Sequence, residues 1–159
     1  MIKHTIVAGA AVLALSAGAA SAQDRTEIGM LDCIVDGGVG LIVSSSREVN
    51  CTFLPADEAQ APEAYFGVIN RYGLDIGVTS EAIMQWAVLA PTTDAFAPGG
   101  LAGDYVGASA QVTAAIGGGA NILVGGSQET FALQPLSVQA QTGLNIALGV
   151  AEFQLRSAQ

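Results

Sequence analysis

The sequence predicts an all-β domain: an antiparallel small β-barrel or strongly bent β-sandwich of about eight or nine strands. Three observations carry that expectation. Runs rich in Val, Ile, Leu and Ala recur along the chain, each closed off by Gly, Ser or Pro, as strands and their turns are. Tyr105, Gly107, Ser109, Gln111 and Thr113 alternate with Val106, Ala108, Ala110, Val112 and Ala114, and a period of two sustained that long is a half-buried antiparallel strand. So many strands in so short a chain expose edges unless the sheet curls or closes.

The first twenty-two residues are read separately. Met1 to His4 is a short basic start, Ile6 to Leu15 is an apolar run of small residues, and Ala20-Ser21-Ala22 precedes Gln23. This is the pattern of a Sec-type signal peptide, with cleavage expected between Ala22 and Gln23. A membrane-spanning anchor needs about 18 or more apolar residues, and this core is shorter. Neither cysteine lies near the cleavage site, so lipoprotein processing is not expected. Residues 23–159 then form a single β-rich domain, of a size for one core and too small for two. The expected location is the periplasm.

Lys3 and His4 leave with residues 1–22, so the remainder holds Arg25, Arg47, Arg71 and Arg156 against fourteen Asp and Glu. That excess of negative charge repels nucleic acid and anionic headgroups, and no nucleic-acid partner is expected. Cys33 and Cys51 are the only cysteines. In an exported chain such a pair reads as a disulfide, contributing about 3 kcal/mol by the chain-entropy model. Two buried free thiols are the plainer alternative. Without histidine the pair makes no usual zinc site.

From Glu27 to Asp36 runs a first strand, ended by Gly37-Gly38. Val39 to Val43 follows as a second, Ser44 to Arg47 as a turn, and Glu48 to Leu54 as a third before Pro55, which together suggest a meander. In a meander strands one and three stand about 9.6 Å apart, whereas a disulfide needs its Cα atoms within roughly 7 Å. Either the middle run is short or bulged, or the third run folds over the first. Ala56 to Glu63 is an acidic, Pro-containing loop without the alternating ligands and central Gly of a calcium loop. Ala64 to Tyr72 is a strand, continued by Gly73 to Thr79 past a Gly that suggests a bulge.

Glu81 to Ala90 holds Trp86, the sole tryptophan. It fits a short helix as well, but Pro91 and the Gly-rich run behind it favour a strand. Pro91 to Gly100 is the clearest loop and the segment expected to move most. Strands are then expected over Gly103 to Ile116, Ala120 to Val124, Glu129 to Leu133, Leu136 to Ala140 and Leu144 to Leu155, with turns at Gly117 to Gly119 and Gly125 to Ser127.

The residues exclude several chemistries. Ser–His–Asp and Cys–His hydrolysis need a base near neutral pKa, and residues 23–159 contain no His or Lys. Schiff-base chemistry and His-bound metal fall with them. Paired carboxylates remain as a general acid–base option, with Asp75 and Asp104 as candidates in apolar surroundings. The plainer reading has each satisfy turn amides beside Gly73 and Gly103, or has Arg71 as the ion partner of Asp75. The Gly clusters lack a Walker lysine and a following helix, so they read as hairpin turns. An outer-membrane barrel needs two aromatic girdles and an aromatic end to its last strand; the aromatics are few, and the chain ends Arg156-Ser157-Ala158-Gln159.

Several segments together carry a family likeness: Cys33 with Cys51, Tyr65, Gly73 to Thr79, Trp86-Ala87-Val88 with Ala90-Pro91, Leu101 to Ala110, Gly119 to Gly126, and Leu133 to Val138. The chain resembles the small exported alphaproteobacterial proteins known as domain of unknown function, family 992. The resemblance spans nearly all of residues 23–159 and implies export and a bacterial envelope setting without an activity. More distantly, the Gly/Ala-rich C-terminal block is similar in texture to small periplasmic envelope-integrity barrels and to SYLF-type lipid-binding domains. The lysines that such domains turn to acidic headgroups are missing here.

The expectation is a non-enzymatic, envelope-associated periplasmic protein without cofactor or metal, holding an apolar or lipid-like ligand inside its sheet. Asp75, Trp86, Asp104 and Tyr105 are the ligand-binding candidates. The alternatives are an exported hydrolase using Asp75 or Asp104 as acid or base, and a structural subunit of an envelope assembly that binds a protein partner through sheet edges or the Pro91 to Gly100 loop.

Overall fold

A computed structural model describes residues 25–36, 38–40, 44–72, 77–79, 82–108, 121–136 and 150–158. The signal-peptide reading, with Ala22 and Gln23, lies outside the described residues. So do Asp75, the Gly117 to Gly119 turn, and the strand readings over 109–116, 137–140 and 144–149.

Alternation builds the first strand, β1 (Thr26–Val35). Leu31, Cys33 and Val35 are buried, while Ile34 between the last two is 45 % exposed. Next come β2 (Gly38–Gly40), β3 (Ser44–Pro55), β4 (Glu63–Tyr72), β5 (Gly77–Thr79) and β6 (Ala82–Ala90), then β7 (Gly103–Gly107), β8 (Leu123–Gly125), β9 (Phe131–Pro135) and β10 (Val150–Ser157). Eight of these close into a barrel in the order β1-β3-β4-β10-β7-β8-β9-β6, with every neighbouring pair antiparallel. Closure answers the edge problem that so many strands pose.

Three sequence expectations are corrected, and the simplest is the turn expected at Ser44 to Arg47, which is the first part of β3 and pairs with β4. The second run does not lie between its neighbours in a meander: β2 leaves the wall and pairs with β5 as a separate two-stranded sheet. That places β1 directly beside β3, with Cys33 opposite Cys51 and their Cα atoms 4.0 Å apart in a disulfide. The conflict between meander and disulfide disappears because the middle run is not a wall strand. By the same pairing, Gly77 to Thr79 does not extend β4 in the barrel. Within the run expected as a strand, Ala82 to Ala90 is one, as Pro91 and the glycines behind it suggest.

The interior is a packed apolar core. Trp86, Tyr105, Phe53, Phe131, Phe153, Leu31, Ile69, Met84, Leu101 and Leu133 are fully buried, each such apolar side chain stabilising by about 1.5–3 kcal/mol. The Phe153 ring stands 6.1 Å from Trp86 and 6.3 Å from Tyr105, a tilted aromatic series across the lumen. The Tyr105 hydroxyl donates to the Leu101 carbonyl at 2.7 Å, which satisfies it in apolar surroundings.

One end of the barrel is closed by three loops, Ala56 to Pro62, Pro91 to Ala102 and Gly126 to Thr130. Phe96, in the second of them, packs 4.8 Å from Phe53 and 6.5 Å from Phe131. The Glu63 carboxylate accepts from the Tyr65 hydroxyl at 2.5 Å and from the Gly99 amide at 3.1 Å, tying that loop to β4. Gly126 takes φ +77°, and a Cβ there would lie 2.6 Å from the Tyr105 hydroxyl, so conformation and space both require glycine. At Gly67 a Cβ would stand 1.9 Å from the Gln154 carbonyl oxygen, because β4 and β10 pinch together there.

Candidate functional site

The four sequence candidates do not converge. Trp86 and Tyr105 face the lumen and belong to the core, while Asp104, one residue from Tyr105, faces solvent by strand alternation. Its carboxylate accepts from Arg156 Nη2 at 2.9 Å, with side chains 67 % and 48 % exposed. The apolar surroundings that the sequence suggests for Asp104 are therefore absent. Asp75 lies outside the described residues. Among the described residues, no group of three or more His, Cys, Asp or Glu lies together to hold a metal ion.

Three side-chain polar atoms, the inward Trp86 indole Nε1, Oδ1 of the outward Asp32, and Arg25 Nε, are buried without a hydrogen-bond partner among the described residues. Burial pushes the Tyr105 phenol far above its ordinary range, and the neighbouring Tyr65 adds to the shift. Tyr65 moves the same way through burial first, then through its hydrogen bond to Glu63 and that residue's charge. Burial draws Arg25 downward, and its Nη1 donates to the Thr130 carbonyl at 2.7 Å.

The inward side chains of the described strands form one apolar cluster. The outer wall is different. Glu48, Asn50, Phe66, Val68, Gln154 and Arg156, with the backbone at Val49 and Gly67, line a groove of about 410 Å³ across β3, β4 and β10. Phe66 stands 50 % exposed on its floor.

Strand register extends this feature beyond the groove. Arg156 pairs with Phe66, Phe66 with Asn50, Asn50 with Ile34, and Ile34 with Ile83, so five residues from β10, β4, β3, β1 and β6 form one row across the outside. Followed along the curved wall at strand spacing the row runs about 19 Å, half-way round the eight-stranded barrel. Ile34, Phe66 and Ile83 are among the five large apolar residues exposed on the described surface. Single exposed apolar residues are ordinary, whereas contiguous ones mark contact surfaces; here Ile34 and Ile83 are direct neighbours, and Asn50 stands between Ile34 and Phe66.

Sequence reasoning missed this row. Its signal is an apolar residue on the otherwise polar side of each strand, as in Asp32-Cys33-Ile34-Val35-Asp36, and it is readable only once the inward face of each strand is known.

A model of one protein family, described as protein of unknown function (DUF992), matches residues 11–156 of the chain. No curated protein and no solved structure matches it.

Proposed function

The chain belongs to the DUF992 family, a membership that brings no activity with it, and from its geometry we propose a non-enzymatic, exported protein of the cell envelope that works by docking through its outer wall. The observation that carries this reading is the exposed neighbouring pair Ile83 and Ile34, with exposed Phe66 two strands further round a barrel whose inward face is apolar. Apolar side chains held in water by a rigid sheet bind without any chemistry of their own.

Export is supported by the sequence of residues 1–22 and by the Cys33–Cys51 disulfide, a bond that persists in oxidising compartments. An outer-membrane barrel turns apolar residues outward and polar ones inward. Here the core faces inward, and Asp32, Glu48, Asn50, Asn70, Glu152, Gln154 and Arg156 alternate on the outside. That arrangement favours a barrel in the aqueous periplasm. A non-enzymatic role is supported by Asp104, engaged with Arg156 on the surface and separated by the wall from Trp86 and Tyr105.

The groove at Phe66 favours a second occupant, a small apolar or lipid-like molecule lying on Phe66 and Val68. Native mass spectrometry under non-reducing conditions, on protein taken gently from its own periplasm, tests both. The expected spectrum shows residues 23–159 less two hydrogens, plus a non-covalent mass lost on denaturation. A mass of protein size supports docking, and one of lipid size supports the second reading. A chain found always bare contradicts both.

A further inference from the structure

We infer that the outer face of β6, β1 and β3 receives a basic, apolar segment of a protein partner. The inference rests on the reading of the outer wall as the working surface, and it specifies what that surface selects.

The argument is one of charge around the apolar row. Ile34 and Ile83 are register partners, 45 % and 54 % exposed, and form its centre. On β1 the outward residues flanking Ile34 are Asp32 and Asp36. On β3 the residue before Asn50 on the same face is Glu48, whose carbonyl accepts from the Asp36 amide at 3.1 Å, so these two acids stand on adjoining strands. The charged residues that alternation turns outward from Asp32 to Asp36 and from Glu48 to Thr52 are thus all acidic. Asp32 also holds one carboxylate oxygen buried without a hydrogen-bond partner among the described residues. At the far end of the row Arg156 is engaged with Asp104.

Charge then separates the possible occupants. A second copy brings the same acids and the same excess of fourteen Asp and Glu over four Arg in residues 23–159, and like charges facing each other oppose contact. A bilayer with anionic headgroups is repelled in the same way. A protein segment with Lys or Arg interleaved among apolar residues meets Ile34 and Ile83 with its apolar groups and Asp32, Asp36 and Glu48 with its cations. The acids steer its approach and the isoleucines retain it.

The test uses the purified protein and three labelled nine-residue peptides, alternating Leu with Lys, Leu with Ser, and Leu with Glu, followed by fluorescence anisotropy at two salt concentrations. The Leu/Lys peptide is expected to bind, and the other two are not. Asp36→Asn with Glu48→Gln weakens its binding about tenfold and flattens its salt dependence. Ile34→Thr with Ile83→Thr, which keeps the branched side chains that strands favour, weakens it by a similar factor of about ten. Asp57→Asn with Glu58→Gln, in the loop at the closed end, leaves it unchanged. If the Leu/Ser peptide binds as well and with the same dependence on Ile34 and Ile83, the charge inference is overturned while the outer-wall reading stands. If binding of every peptide is absent or indifferent to Ile34 and Ile83, both are overturned.

Discussion

Cys33 and Cys51 face each other across the β1–β3 ladder, joined within a register that pairs seven residues of each strand. The disulfide therefore clamps two strands that are already neighbours, and it encloses the segment that leaves the wall as β2. It acts on the unfolded chain more than on the fold, by removing loop freedom across a separation of 18 residues. Reduction, or Cys33→Ala with Cys51→Ala, is expected to cost about 3 kcal/mol and to lower the melting temperature by about 10 °C. Thermal scans with and without reductant check this. A shift under about 2 °C contradicts it.

Tyr65 and Tyr105 give the stability a direction in alkali. Burial raises both phenols in the fold, whereas phenols of the unfolded chain ionise near pH 10. The folded form thus holds protons that the unfolded form releases. Stability from the neutral phenols is complete below about pH 10 and is lost as pH rises beyond it. Urea midpoints are expected to stay level from pH 8 to about 9.5 and then fall. Tyr105→Phe costs about 1 kcal/mol at neutral pH through the lost bond to Leu101, and reduces the alkaline fall. An undiminished fall in the variant with both tyrosines replaced by Phe contradicts the assignment.

Two glycines separate crowding from mere glycine content. At Gly67 a Cβ collides with the Gln154 carbonyl, while at Gly107 an added Cβ meets nothing within 4 Å. Gly67→Ala is expected to destabilise by about 3 kcal/mol and Gly107→Ala to change stability by less than about 1 kcal/mol. Equal effects in urea titrations would sink the account of the β4–β10 pinch.

Asp104→Asn is expected to be nearly silent. The exposed pair with Arg156 contributes under about 1 kcal/mol, and a double-mutant cycle with Arg156→Ala measures it directly. A coupling above about 2 kcal/mol contradicts the exposed geometry.

The sequence makes the antiparallel closed sheet readable because Gly, Ser and Pro punctuate it and because shortness demands closure. Cys33 and Cys51 are readable as a pair for the same chemical reason that they stabilise. The departure of β2 and β5 from the wall is not. Gly38–Gly40 and Gly77–Thr79 are three residues each, too short for alternation to specify a partner. Nor is the choice of face in β7. Tyr105 shares its side with Ser109, Gln111 and Thr113 in the sequence, yet it turns inward and Val106 stands 50 % exposed. The Leu101 carbonyl that accepts its hydroxyl makes that burial possible, and no local pattern announces such a partner. Ile34, Phe66 and Ile83 were hidden likewise, since their alignment arises from the register of four strands brought together from distant parts of the chain.

The outer-wall account is tested most directly by photo-crosslinking in living cells, with a photoreactive amino acid placed in turn at Ile34, Ile83 and Asp57. The account predicts a discrete adduct of higher mass from Ile34 and Ile83 and none from Asp57, at unchanged protein abundance. Adducts that form equally at Asp57, or that fail to form at both Ile34 and Ile83, would contradict it.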